Sequence, residues 1–250
     1  MKSKWPLLLF YCIISTACSR TNDDLNIDKI DEEIPIETID PGDTTNGVTQ
    51  KNIEILSLGD SYTIGQSVCE TCKFPEQLKT SLITNLGSNY KFNLQVIAQT
   101  GWTTTNLKNA INTQSPSENK DLVTLLIGVN NQYQNKPFSI YEQEFPELVQ
   151  IAKRLAKGNI NNIIVISIPD YAFTPFGGGR TSISQDIDKY NAFAKNYCES
   201  NNITFINITD ITRMGLVNTE LVASDGLHPS QLAYARFVER ILPSALEKIN

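Results

Sequence analysis

Residues 55–65 read ILSLGDSYTIG. The apolar run ends abruptly at Gly59-Asp60-Ser61. Isoleucine and leucine crowded with so little polar alternation suit a strand covered on both faces, as in a parallel sheet under helices. The strand ends by setting a small hydroxyl on its last turn. By itself such a serine is a turn residue or helix cap. Whether it is more depends on what the rest of the chain places near it.

Working outward, similar short runs rich in Ile, Val and Leu recur at residues 53–58, 94–98, 122–127, 163–168 and 203–208. Between them lie helical patterns at 74–86, 103–112, 140–156, 183–199 and 230–249. Strand and helix alternate throughout, which predicts an α/β fold with a mostly parallel five-stranded sheet between two helix layers. In such sheets ligands sit beyond the carboxyl ends of the strands. The chemistry-bearing stretches all follow strands or precede the last helix: Gly59-Asp60-Ser61, QTGWTT with Gly101, GVNNQY with Asn130, PDYAFTPFGGGR, and SDGLHP with Asp225 and His228.

A serine hydroxyl is a weak nucleophile and needs an adjacent base. The chain has one histidine, His228. Asp225, three residues before it, can reach the imidazole Nδ1–H if 225–228 form a tight turn, with Pro229 in the first turn of the following helix. Oxyanion donors are available from the backbone N–H of Ser61 and Gly101 and from the Asn130 amide. The order Ser, Asp, His is that of α/β-hydrolases, but Thr63 stands where their nucleophile elbow has its second glycine.

The blocks GDS, AQTG, GVNN and DGLHP, in this order over residues 53–249, resemble those of the SGNH/GDSL hydrolase superfamily. The resemblance implies a three-layer α/β/α sandwich like flavodoxin and an esterase-type activity with no cofactor and no metal. It implies Ser61, Asp225 and His228 as the triad and Ser61, Gly101 and Asn130 as the oxyanion hole. One position departs from the pattern: the third block often reads G-x-N-D, and here Asn131 stands in place of the Asp. The substrates implied are small-molecule or carbohydrate esters. The absence of a long apolar lid points to short acyl groups; lysophospholipase or thioesterase activity is the alternative, as is a glycan-binding module without catalysis. Trp102, Tyr133, Tyr171, Phe173, Phe176 and Arg180 lie beside the motif residues and are candidates for substrate contact. The three glycines before Arg180 predict a pliable loop.

The N-terminus reads MKSKWPLLLFYCIISTACSR. Lys2 and Lys4 before an apolar stretch and then small residues make residues 1–18 a signal peptide. Its end resembles a lipobox, with Cys18 as the lipidated residue, although Ser15 stands where Leu is usual. The following CSRTNDD resembles the acidic stretch of surface-exposed Bacteroidetes lipoproteins. Residues 19–50 are polar and acidic without periodicity and read as a disordered tether, leaving 51–250 as the hydrolase domain. These features predict an exported, cell-envelope protein held to the outer membrane, periplasmic or surface-exposed, by its lipid anchor alone.

Nine acids against Arg20 and Lys29 fall within residues 20–50, so the rest of the chain is close to neutral although the total charge is −6. The folded part lacks the basic excess that nucleic-acid binding needs. At 40% hydrophobic and 19% charged residues it has an ordinary globular composition, and a monomer is expected. Export permits disulfides. The pair in CETC, Cys69 and Cys72, reads as a local disulfide rather than a zinc half-site, which would want about four ligands, or a redox pair, which would open a helix after a strand. Cys198 reads as a small buried residue.

Overall fold

The computed structural model describes residues 50–249. The signal peptide, Cys18 and, apart from Gln50, the acidic tether lie outside the described residues.

Strand β1 (Lys51–Gly59) leads into the one-turn helix α1 (Ser61–Ile64), then α2 (Phe74–Leu86) and β2 (Tyr90–Ala98). Helix α3 (Thr104–Gln114), β3 (Leu122–Leu126), α4 (Val129–Tyr133), α5 (Phe138–Leu155) and β4 (Ile163–Ile166) follow. The chain ends with α6 (Thr181–Ser200), β5 (Thr204–Ile206), α7 (Thr209–Thr212) and α8 (Gln231–Ile249). All five strands are parallel, in the order β2-β1-β3-β4-β5. Helix α2 packs on α8, while α3 packs on α5 and α5 on α6. The result is a three-layer α/β/α sandwich with flavodoxin-type strand order.

The central strands explain why their sequences alternate so little. Every residue of β3 and β4 is buried, as is all of β1 from Ile55 onward. The edge strand β2 is different. It starts at Tyr90, four residues before its apolar run, because its outer edge faces solvent and tolerates Lys91 and Asn93. On one face Phe74 of α2 meets Tyr234 of α8, ring centroids 6.4 Å apart, both fully buried. Truncating Phe74 to Ala would cost about 3–5 kcal/mol.

Two local expectations are corrected. Pro229 is not in the first turn of α8. It forms an isolated antiparallel bridge with Val222, and Ser230 opens the helix by accepting a hydrogen bond from Ala233 N–H at 3.3 Å. The glycine-rich loop before α6 is pinned rather than pliable. Gly178 N–H and Gly179 N–H each donate at 2.8 Å to the carbonyls of Thr174 and Ala172. A Cβ on Gly177 would lie 1.9 Å from the Tyr171 carbonyl oxygen, so this glycine serves close backbone packing.

The strand order reverses between β1 and β3, since the chain leaves β1 to one side and returns past it to the other. The crevice at the carboxyl ends of these two strands is the natural ligand site of such a sheet. Ser61 follows β1 there, and Asn130 follows β3.

Candidate active site

Ser61 sits at the start of α1 because the chain reverses sharply after β1. Asp60 caps the turn, its Oδ1 accepting from Tyr62 N–H at 3.0 Å. Gly59 is required by the reversal: a Cβ there would lie 2.1 Å from Thr63 Oγ1 and 2.5 Å from the Leu126 carbonyl oxygen. In the first turn of a helix the backbone N–H groups lack internal partners, so the Ser61 N–H is available to an incoming group.

The structure brings Ser61 and His228 to the walls of one cleft of about 190 Å³. Asn130, Gly101, Thr100 and Tyr62 line it as well, and Val129, Tyr133, Tyr171, Phe176 and Leu227 make its walls largely apolar. The one-turn helix after β1, the loop after β2, the helix after β3, the loop after β4 and the turn before α8 thus all converge on it.

His228 is buried, with its ring tilted against that of Tyr62 at a centroid distance of 5.2 Å. Its Nδ1 lies 2.6 Å from Asp225 Oδ2. With Nδ1–H donating to the carboxylate, Nε2 is left with the free lone pair. The other oxygen of Asp225 accepts from Leu227 N–H at 2.9 Å and His228 N–H at 3.0 Å. The Ser67 hydroxyl adds a further donor to Oδ2 at 2.6 Å. Partial burial works against charge on Asp225, but the hydrogen bonds from Ser67, His228 and the two backbone amides outweigh it. They hold the carboxyl far below its usual range, so Asp225 stays ionised beside the imidazole.

Asp60, the residue before Ser61, behaves oppositely. It is fully buried, and burial pushes its carboxyl up from 3.8 to about 7. The Tyr62 N–H and the nearby Asn130 side chain favour the charged form without overcoming burial. Asn130 does not complete a hydrogen bond of good geometry here: Asp60 Oδ2 has no partner, and the Asn130 Nδ2 donates to the Trp102 carbonyl at 3.1 Å.

The loop after β2 carries Gly101 with a φ of 84°, in the left-handed region that favours glycine. Helix α4 and the residue after it hold this loop by side-chain amides. Gln134 donates to the Gly101 carbonyl at 2.8 Å, and Asn130 takes the Trp102 carbonyl. Asn131 is fully buried and receives Thr104 N–H at 3.0 Å.

Of the substrate-contact candidates, Tyr133, Tyr171 and Phe176 form an aromatic wall with ring centroids 6.0–6.3 Å apart. Tyr133 and Phe176 are exposed at its mouth, and Tyr171 donates its hydroxyl to Gln132 Oε1 at 2.7 Å. Trp102 and Phe173 are not among the cleft's lining residues and pack against the core. Arg180 folds back on its own loop, donating to the carbonyls of Gly177 at 2.9 Å and Phe176 at 3.3 Å. Cys69 and Cys72 are joined by a disulfide, and Cys198 is free and buried. Among the described residues no cluster of His, Cys, Asp and Glu is placed to hold a metal ion, and no helix is long and apolar enough to cross a membrane.

Reading the residues alone misses Ser67, Tyr62 and the Asn131–Thr104 contact. No pattern signals Ser67, which meets Asp225 across 158 residues of chain. The run Thr103-Thr104-Thr105 is the one visible hint that the start of α3 is polar for a reason.

Several solved structures share this fold. A lipolytic protein of the G-D-S-L family from Veillonella parvula aligns with a TM-score of 0.60 and 17% identity, covering 76% of this chain and 97% of its own. A lipase/acylhydrolase from Enterococcus faecalis gives 0.60 and 18%, with 79% and 97% covered. An acetyl xylan esterase variant from Geobacillus stearothermophilus gives 0.59 and 19%, with 79% and 96% covered. No curated protein matches the chain. The GDSL-like Lipase/Acylhydrolase family matches residues 57–236, a span that holds all the cleft residues described above. The chain belongs to that family, and is a hydrolase acting on esters.

Proposed function

We propose that the protein is a serine esterase that removes short acyl groups, acetyl above all, from carbohydrate through a covalent acyl-enzyme. The observation that carries this is the ionised Asp225 locked 2.6 Å from His228 Nδ1 on the wall of the cleft that Ser61 also lines. Ser61 Oγ attacks the acyl carbonyl while His228 Nε2 takes its proton. The oxyanion that forms is met by the Ser61 and Gly101 N–H groups and the Asn130 amide. The intermediate collapses, His228 returns the proton to the departing alcohol, and the acyl group stays on Ser61. Water, deprotonated by the same imidazole, then releases the acid and restores the serine. Asp225 remains a carboxylate throughout and offsets the imidazolium charge.

The size of the cleft favours a short acyl group. At about 190 Å³ it falls below the range of roughly 300–1,000 Å³ that drug-sized ligands occupy. The aromatic wall of Tyr133, Tyr171 and Phe176 suits a sugar ring on the alcohol side. The likeness to an acetyl xylan esterase is one of fold and is compatible with this reading. Cys18 at the end of the signal peptide would tether the domain to the envelope, monomeric, with its site facing polymeric substrate.

Fluorophosphonate labelling of wild type and Ser61→Ala, followed by p-nitrophenyl esters of increasing chain length, tests the proposal. We expect label on wild type alone and faster turnover of acetyl than of dodecanoyl esters. Faster dodecanoyl hydrolysis would promote the lysophospholipase reading. A Cys18→Ser protein that still sediments with membranes would refute the anchor.

A further inference from the structure

Beyond the cleft lies a buried polar chain with a definite direction. The Thr104 N–H donates to Asn131 Oδ1 at 3.0 Å, which fixes the orientation of that amide. Asn131 Nδ2 therefore faces Thr104 Oγ1, at 2.7 Å. A threonine hydroxyl has one proton. It goes to Glu144 Oε2, 2.5 Å away on α5. The order is Asn131 N–H to Thr104 O–H to Glu144 carboxylate. Thr104 and Asn131 are fully buried and Glu144 is 9% exposed. The Thr105 hydroxyl donates to both Glu144 oxygens at 2.8 and 2.9 Å, and Lys108 Nζ approaches Oε1 at 3.5 Å.

This chain anchors the end of the loop that carries Gly101. Residues 101, 102 and 104 are each held by a side-chain amide from residues 130–134, and Asn131 holds the last of them, where the loop enters α3. Neighbouring Asn130 rides on the same turn of α4. Any shift of Asn131 against Thr104 would move two oxyanion donors, Gly101 and Asn130, relative to each other.

We propose that Asn131, Thr104 and Glu144 form a directional relay that positions the oxyanion donors, and that the buried carboxylate of Glu144 is what requires an amide at 131. The proposal rests on the oxyanion role given above to Gly101 and Asn130. A carboxylate at position 131 would leave the single Thr104 proton between two acids in a water-poor site. The two would compete for that proton, so that either Glu144 keeps only Thr105 and Lys108 or the new carboxylate keeps only the Thr104 N–H, and the like charges would repel. In the family that the chain resembles an aspartate often stands at this position, so introducing that residue should harm this protein. Reversing the relay should repair it. When Asn131→Asp is combined with Glu144→Gln, the Thr104 hydroxyl donates to the new carboxylate at position 131. It accepts from the new amide at position 144, and every group again has a partner.

The test compares wild type, Asn131→Asp, Glu144→Gln and the double variant, reading kcat and KM on p-nitrophenyl acetate and Tm. We expect Asn131→Asp to lower kcat about tenfold or more with KM changed less than about twofold, as for a loss felt in the transition state. Its Tm should fall by about 3–10 °C. The double variant should recover most of both losses. Wild-type activity in Asn131→Asp, or a double variant no better than the worse single variant, would overturn the relay. Rescue of Tm with kcat unmoved in every variant would leave a structural contact and overturn the positioning role. A wild type that neither turns over ester nor labels with fluorophosphonate would instead defeat the proposed function, and this proposal with it.

Discussion

The turns at 59–61 and 225–228 each place a carboxyl next to a residue of the cleft, and the two carboxyls end in opposite states. Asp225 accepts from four donors: the Ser67 hydroxyl, two backbone N–H groups and the His228 ring. Its side chain keeps some solvent contact, at 29% exposure. Asp60 is fully buried with a bond to one oxygen and none to the other. The protein's dipoles replace water around the first and not around the second. Asp225 is therefore a permanent charge able to steady an imidazolium, while Asp60 is a helix cap whose ionisation burial disfavours. Proximity to a reacting group does not decide the role of an acid; the donors around it do.

The contrast can be broken first at the residues of the proposed triad. Ser61→Ala should lose about 10⁴-fold or more in kcat on p-nitrophenyl acetate while its Tm stays near that of wild type. Retained activity would dissolve the meaning of both turns. Asp225→Asn should lose about 10³-fold or more, because an amide favours the wrong tautomer of His228; full activity would reduce Asp225 to a turn residue.

The two acids should also oppose each other in stability. For Asp60 the folded value lies above the unfolded one, so the folded state holds the extra proton. Its stabilising contribution is complete below 3.8 and is lost as pH rises from there to about 7. The loss amounts to at most about 4 kcal/mol. For Asp225 the folded value is depressed, so its contribution is present above 3.8 and is lost as pH falls below that. Urea unfolding of Asp60→Asn across pH 4–7 should show the downward slope of wild type flattened, and an unchanged slope would show that Asp60 ionises freely. The smallest effect is expected from Ser67→Ala, which removes one of the four donors to Asp225. It should lower kcat by only about threefold to tenfold, and a loss as large as that of Asp225→Asn would mean that the other three donors do not suffice.

Much of this could be read from the residues. Unalternated runs such as 122–127 announced covered strands, and the helix at 74–86 matches α2 at both ends. The chain's single histidine is the only imidazole a serine mechanism could use, and Asp225 three residues earlier does meet it. The edge strands were harder: Lys91 and Asn93 hide the first half of β2, since a strand with one open side need not be apolar. The one-turn helix α4 has too few residues to show a period, yet it carries Asn130 and Asn131. The GGGR loop misled because glycine serves both mobility and close packing, and only neighbours distinguish them.

Local pattern records what each residue does for its own strand, helix or turn, and that sufficed for the layer order, the sheet edge and the four chemical blocks. It carries no record of which distant side chains meet. Ser67 reaches Asp225 across 158 positions and Thr104 reaches Glu144 across 40. Whether a buried acid is charged, or a hydroxyl donates rather than accepts, is settled by such meetings. They exist only once the layers have packed, because the energy of a buried polar group depends on the partners it finds there.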